Sequence, residues 1–181
     1  MSRQNAIFAS IFFAGLVTLA FTAMAYDEDT TSRVFNAIGC EQTLATGNRA
    51  LLTISCDEAK VIANIPDLQA IGLLNPDLTQ GYINTHHLSL TGNTAMTAAE
   101  MALMISYQEN PSLDDLRVEV TIGATDDYGN SAPHLAFSFG FDRATYARIN
   151  WDKFDRSKLP NVSKRFVFSP WYKAGVLRQE Y

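Results

Sequence analysis

One stretch of alternating residues constrains the fold of this chain more than any other feature. Between Leu116 and Ile122 every second position holds a branched aliphatic residue, and between Leu135 and Phe141 every second position holds Leu or Phe. Such alternation predicts two strands that each bury one face. A turn-forming segment, 126–130, separates them. The pair is therefore predicted to form a β-hairpin with one apolar face.

A helix is predicted to cover this apolar face. Thr97 and Glu100 have the spacing of a capping box, and an apolar stripe follows them as far as Gln108. Helices and strands alternate without a βαβ rhythm, so we expect the α+β class, with a curved antiparallel sheet of four to five strands packed on one main helix. The further strands are predicted over 51–56, 82–90 and 164–172. Further helices are predicted over 57–64 and, capped by Asp142, as far as Trp151, and a short helical or irregular stretch is predicted from Pro66 to Leu74.

The first 25 residues have the anatomy of a secretory signal. Arg3 is the only charged residue before Asp27, and the run 6–25 is uncharged, mostly apolar and ends in Ala-Met-Ala. At about 1.5 Å per residue, the same run would also span a bilayer as a retained anchor helix. We favour cleavage of 1–25. In either case we expect 26–181 to form a single extracytoplasmic domain, periplasmic or secreted.

The two cysteines, Cys40 and Cys56, are predicted to form a disulfide, because export exposes them to an oxidising compartment. They lie sixteen positions apart, and closing a loop of that size contributes about 3 kcal/mol in the chain-entropy model. The alternative is a pair of buried, unpaired thiols. The spacing differs from C-x-x-C and no histidine lies near either cysteine, so neither a metal site nor a redox pair is predicted.

Charge divides the chain into two parts. Residues 26–131 hold fifteen acidic and four basic residues, a net charge of −11, whereas residues 132–181 hold four acidic and nine basic residues, a net charge of +5. In the second part the bases interleave with aromatic residues, a composition typical of protein contact surfaces. The alternative is that these aromatics are core and the bases balance the acidic half. The residues predicted to touch a partner are Trp151, Arg165, Trp171, Tyr172 and Lys173.

The sequence carries no catalytic signature. It lacks the G-x-S-x-G, S-x-x-K and H-E-x-x-H motifs and both glycine-rich nucleotide loops, so no cofactor, metal or catalytic residue is predicted. We expect an exported, non-enzymatic accessory or interaction subunit of a cell-envelope complex. Its expected partners are other envelope or membrane proteins and not nucleic acid, with membrane contact only through 6–25 if that segment is retained. The alternative is a small periplasmic or secreted enzyme or ligand-binding protein, with a site between sheet and helix near Tyr82, His86 and Glu100.

Overall fold

The structure, a computed structural model, describes residues 35–46, 49–125 and 128–179. The predicted signal or anchor segment lies outside the described residues. Within the described ranges, no helix is both long enough and apolar enough to cross a membrane. The strands are β1 Cys40–Ala45, β2 Ala50–Asp57, β3 Asp115–Thr125, β4 Ser131–Asp142 and β5 Lys164–Phe168. The α-helices are α1 Glu58–Ala63, α2 Ile65–Ala70, α3 Gln80–Glu109, α4 Arg143–Arg148, α5 Leu159–Val162 and α6 Pro170–Gln179.

The five strands form one sheet in chain order, β1-β2-β3-β4-β5. Three of the four neighbouring pairs are antiparallel, and β2 with β3 is parallel. The α+β class is confirmed. The expectation of a wholly antiparallel sheet is wrong, because the chain passes through α1, α2 and α3 between β2 and β3 and so returns in the same direction.

Alternation along the strands gives the sheet one covered face and one open face. Ile54, Val118 and Phe139 belong to the covered face and are almost completely buried, whereas their neighbours Ser55 and Arg117 are exposed. The predicted β-hairpin is confirmed as β3 and β4, with Val118 opposite Phe139. The sheet therefore packs its apolar face, formed by these alternate residues, against another part of the fold, which covers it.

That cover is α3, a helix of 30 residues. It begins after Thr79, whose hydroxyl oxygen accepts a hydrogen bond from the Tyr82 amide at 3.3 Å. The prediction of a strand over 82–90 is wrong, since this segment is the first part of α3. A kink at His86, with φ −124° and ψ 19°, marks where the two helical stretches join. Ile83, Leu88 and Leu90 of this segment are buried, and their packing overrides the local β propensity.

The helix α3 packs against several other elements of the fold. The helix touches β1, β2 and β3, and it also touches α1 and α6, so its apolar residues do not form a single stripe. Its buried hydroxyls donate to backbone carbonyls one turn earlier, as Thr97 does to Asn93 at 3.2 Å and Ser106 to Ala102 at 2.7 Å. Thr97 thus lies inside the helix, and the predicted capping box at this position is wrong.

Most of the remaining local predictions are confirmed, but the strand predicted over 164–172 ends at Phe168, because Pro170 begins α6. A disulfide joins Cys40 to Cys56, which lie opposite each other across β1 and β2 and are both buried. The strand predicted over 51–56 is confirmed as β2, and the short helices predicted after it are confirmed as α1 and α2. The Asp142 carboxylate caps α4 as predicted, since it accepts the Thr145 amide at 2.6 Å.

Candidate interaction surface

The candidate surface lies along β5, the strand at one edge of the sheet. Three apolar side chains, Val167, Phe168 and Trp171, have between 37% and 55% of their surface open to solvent. Two exposed bases, Arg165 and Lys173, flank them. We call these five residues the edge patch. Large apolar side chains grouped at an exposed sheet edge are typical of contact sites rather than of an inert surface.

The edge patch wraps around the strand and covers parts of both sheet faces. Val167 is paired with a residue on the open face of β4, whereas Phe168 is paired with Phe137 on the covered face. Trp171 follows at the start of α6, where its ring stacks on His134 with centroids 4.8 Å apart. A molecule that approached this edge would therefore meet apolar side chains on either side of the backbone.

The charge around the edge patch is positive. The segment from Lys164 to Lys173 holds three basic residues and no acidic one. Lys164 Nζ lies 2.7 Å from Asp142 Oδ2, and this ammonium is the largest cause that lowers the pKa of Asp142 to about 2. Across the described ranges, Arg165 and Lys173 form no ion pair. Two of the three bases are therefore exposed without an ion-pair partner among the described residues.

Arg165 also has an unusual backbone. Its φ is 51°, in the left-handed region that residues other than glycine rarely adopt. The register of β5 with β4 shifts between Ser138 and Gly140, so β5 carries a bulge at this point. Bulges re-aim side chains, and backbone conformations of this kind cost about 1–3 kcal/mol and cluster at binding sites. The bulge leaves the Arg165 side chain exposed at the edge.

Tyr172 packs against the edge patch without being part of it. Its side chain is half-buried, with its ring 5.9 Å from that of Phe168 and 6.4 Å from that of Phe137. Its hydroxyl reaches Gly92 of α3, where a Cβ would overlap it. Burial raises the pKa of Tyr172 to about 12. Among the predicted contact residues, Tyr172 therefore holds α6 against α3, and Trp171 presents its ring to solvent.

Trp151 lies in a different group of rings. Its indole Nε1 donates to the Tyr146 carbonyl at 3.1 Å, and its ring centroid lies 5.2 Å from that of Tyr146. Its contact with a partner stays a prediction, and the structure does not place it in the edge patch. We call its group the inner aromatic cluster, which comprises Tyr107, Phe141, Tyr146, Trp151 and Phe154.

Arg143 shows how bases of the C-terminal part can serve the fold itself. Its guanidinium donates to carbonyls at and beyond the end of α3, at 2.6 Å to Asn110 and 2.7 Å to Leu113. It also lies over the ring of Tyr107, with its Cζ 5.0 Å from the centroid. A cation at a helix C-terminus satisfies carbonyls that have no partner within the helix. Aromatic and basic composition alone thus does not mark a contact surface.

The residues named for the alternative site do not come together. The rings of Tyr82 and His86 stack on each other with centroids 4.0 Å apart. Glu100 lies about 20 Å further along α3, at 1.5 Å per residue. Its carboxylate faces Arg156, with Nε and Oε2 3.7 Å apart, and burial raises its pKa while this arginine lowers it. In the described part of the chain, no group of three or more His, Cys, Asp or Glu could hold a metal ion.

Two edge-patch residues, Val167 and Phe168, were not among the residues predicted to touch a partner. Their exposure follows from the position of β5 at the end of the sheet, which the order of the strands decides. The one local signal is Pro170, two residues after the end of β5, because proline near the end of a strand is typical of an edge.

None of the three comparisons, with protein-family models, with curated proteins and with solved structures, finds a match to this chain. The function is therefore argued from the site.

Proposed function

We propose that this chain is an exported, non-enzymatic interaction subunit of a cell-envelope assembly, and that it binds its partner protein through the edge patch. The observation that carries the proposal is the grouping of exposed Val167, Phe168 and Trp171 at an open sheet edge. Trp and Arg are enriched among the residues that dominate binding energy at protein interfaces. Trp171 and Arg165 are both exposed in the edge patch.

Two observations support export. The disulfide between Cys40 and Cys56 is of a kind that persists in oxidising compartments. The sequence of residues 1–25 fits a secretory signal. Intact mass of the protein from its native source, with and without reduction, tests this part. We expect a chain that starts at Tyr26 and lacks two hydrogens. A mass that retains residues 1–25 would instead make the domain a membrane-anchored subunit.

Site-specific photocrosslinking tests the partner contact. A photoreactive amino acid at Val167 is expected to give one discrete adduct with another protein in native envelopes. The matched control position is Ile71, an apolar residue that is 48% exposed at the end of α2. Equal adducts from both positions, or none from Val167, would contradict the proposal.

A pair of double variants makes the contact quantitative. Changing Val167 and Trp171 to Ala should release the protein from its assembly, seen as a shift to monomer size in gel filtration of native extracts. The matched control changes Ile71 and Tyr82, which have similar exposure, and should leave the assembly intact. Each truncation at the centre of an interface typically costs about 2 kcal/mol or more, roughly a thirtyfold loss of affinity.

A further inference from the structure

The backbone of β5 is open along one side. Among the described residues, the strand pairs with β4 alone and ends the sheet order. The Ser169 amide donates to the Ala136 carbonyl at 2.8 Å and so points towards β4. Because the amide and carbonyl of successive strand residues point to opposite sides, those of Phe168 point away from β4. The open edge therefore offers a backbone donor and acceptor in the middle of the edge patch.

Side chains on both faces flank this backbone edge. Val167 stands on the open face and Phe168 on the covered face, so alternate side chains of an added strand would each find an apolar neighbour. When an extended peptide adds to a sheet edge, main-chain hydrogen bonds supply affinity and pockets for alternate side chains supply specificity. The edge patch has both parts of that arrangement.

Charge decides which kind of segment fits. Arg165 and Lys173 are exposed at the edge patch, and the segment between Lys164 and Lys173 has no acidic residue. An acidic segment is attracted to this edge, whereas a second copy of the same edge is repelled. The charges therefore favour a different protein over self-association through β5.

We infer that the edge patch binds an extended acidic segment of the partner protein, which adds to β5 as a sixth strand. Its residues alternate between apolar ones, which pack on Val167 and Phe168, and polar ones, with an Asp or Glu that pairs with Arg165. The segment is short, about five residues, because β5 spans only Lys164–Phe168. This inference rests on the proposed function and names the partner chemistry for the same surface.

Selection from a phage-displayed library of random twelve-residue peptides tests the recognition chemistry on the full-length protein. Counter-selection uses a variant with Val167→Ala and Trp171→Ala, which keeps both bases of the edge patch. We expect enriched peptides that alternate apolar and polar residues and carry at least one Asp or Glu. No enrichment over the variant, or enriched peptides without acidic residues, would overturn the inference.

Amide hydrogen exchange of the protein with the best enriched peptide tests strand addition itself. The Phe168 amide should exchange at least about tenfold more slowly in the complex, because it becomes a ladder hydrogen bond. If Trp171 resonances shift while Phe168 exchange stays unchanged, the peptide docks through side chains alone and strand addition is wrong.

A matched charge variant tests the role of the two bases. Arg165→Glu with Lys173→Glu should weaken peptide binding by about tenfold or more, as loss of complementary charge at a contact does. Arg148→Glu with Lys153→Glu changes the net charge equally at two exposed positions and should have a much smaller effect. Equal losses of peptide affinity in both double variants would show that binding depends only on the net charge of the protein. That result would contradict the pairing assigned to Arg165.

Binding to vesicles of phosphatidylglycerol and phosphatidylethanolamine tests whether the edge patch binds a lipid surface instead of a peptide. In a Trp151→Phe protein, Trp171 is the remaining reporter tryptophan, and its emission should not change with vesicles. A blue shift that requires Arg165 and Lys173 would make the surface a membrane contact and overturn strand addition. If peptides fail while the Val167 crosslink to a protein persists, the proposed function stands and only strand addition falls.

Discussion

The inner aromatic cluster, with Arg143 beside it, and the edge patch both combine a tryptophan with an arginine, yet their surroundings differ. In the inner cluster, Trp151 is half-buried and its indole bonds to a neighbouring carbonyl, and Arg143 uses its guanidinium on the end of α3. In the edge patch, Trp171 is exposed and Arg165 forms no ion pair within the described residues. The difference teaches that satisfied polar groups, rather than composition, distinguish the structural aromatic cluster from the surface proposed to bind a partner.

The largest expected effect is on the inner cluster. Trp151→Ala should lower the free energy of unfolding by about 3 kcal/mol, because it removes packing against Phe141, Tyr146 and Phe154 and leaves a cavity. Urea denaturation measures this loss. Crosslinking from Val167, normalised to folded protein, should not change. If Trp151→Ala abolished crosslinking while the fold remained, the two aromatic groups would share one function.

The second-largest expected effect concerns the contact between α6 and α3. Gly92→Ala should cost about 2 kcal/mol, since the new methyl group overlaps the Tyr172 hydroxyl at a buried helix contact. Adding Tyr172→Phe removes the overlapping oxygen and should recover part of that loss. The two changes are therefore expected to be non-additive in a double-mutant cycle. Purely additive effects would show that this hydroxyl does not limit the approach of the helices.

Trp171→Ala is expected to weaken binding more than it lowers stability. We expect a loss of about 1 kcal/mol in unfolding free energy, because the ring is partly exposed and mainly stacks on His134. Binding of the selected peptide should nevertheless fall by at least about tenfold. Isothermal titration and urea denaturation on the same preparation give both numbers. A stability loss as large as that of Trp151→Ala would place Trp171 in the core.

The smallest effect concerns pH. The pKa of Asp142 is lowered from 3.8 to about 2, first by Lys164 and then by the Thr145 amide. Ionised Asp142 therefore stabilises the fold above about pH 4, and this contribution is lost as the pH falls towards 2. In Asp142→Asn, which keeps an acceptor for the Thr145 amide, stability should depend less on pH in that window, by at most about 1 kcal/mol.

Acid denaturation curves followed by circular dichroism measure this difference. Asp152→Asn is the control, because it removes one carboxylate at an exposed position. Parallel curves for wild type and Asp142→Asn between pH 4 and 2 would show that the ion pair with Lys164 adds nothing to stability.

Sequence patterns predicted those parts of the fold that depend on neighbours along the chain. Alternation located the hairpin of β3 and β4, and the compartment argument located the disulfide between Cys40 and Cys56. The first part of α3 does not show the pattern of an amphipathic helix, because its buried residues, Ile83, Leu88 and Leu90, are few and do not recur at i, i+3 and i+4. The parallel pairing of β2 with β3 was missed because it depends on contacts between distant segments.

The same limit applies to the candidate site. Trp171, Arg165 and Lys173 could be named from composition, since aromatic and basic residues share one part of the sequence. Val167 and Phe168 could not, because their exposure depends on β5 being the last strand of the sheet. Composition equally pointed to Trp151, whose half-buried surroundings appear only once β4 and the following helices pack together.

The disulfide has a mechanical consequence for a domain that is pulled from its N-terminal side. Cys40 is the first residue of β1, and its bond to Cys56 connects directly to the end of β2. Tension that enters at Cys40 therefore passes through the covalent bridge into β2 and bypasses the β1 ladder. The loop between the two cysteines holds about 50 Å of chain that cannot extend until the bond is reduced. After reduction, force can therefore peel β1 from β2 and release this length while the pairs from β2 to β5 stay intact.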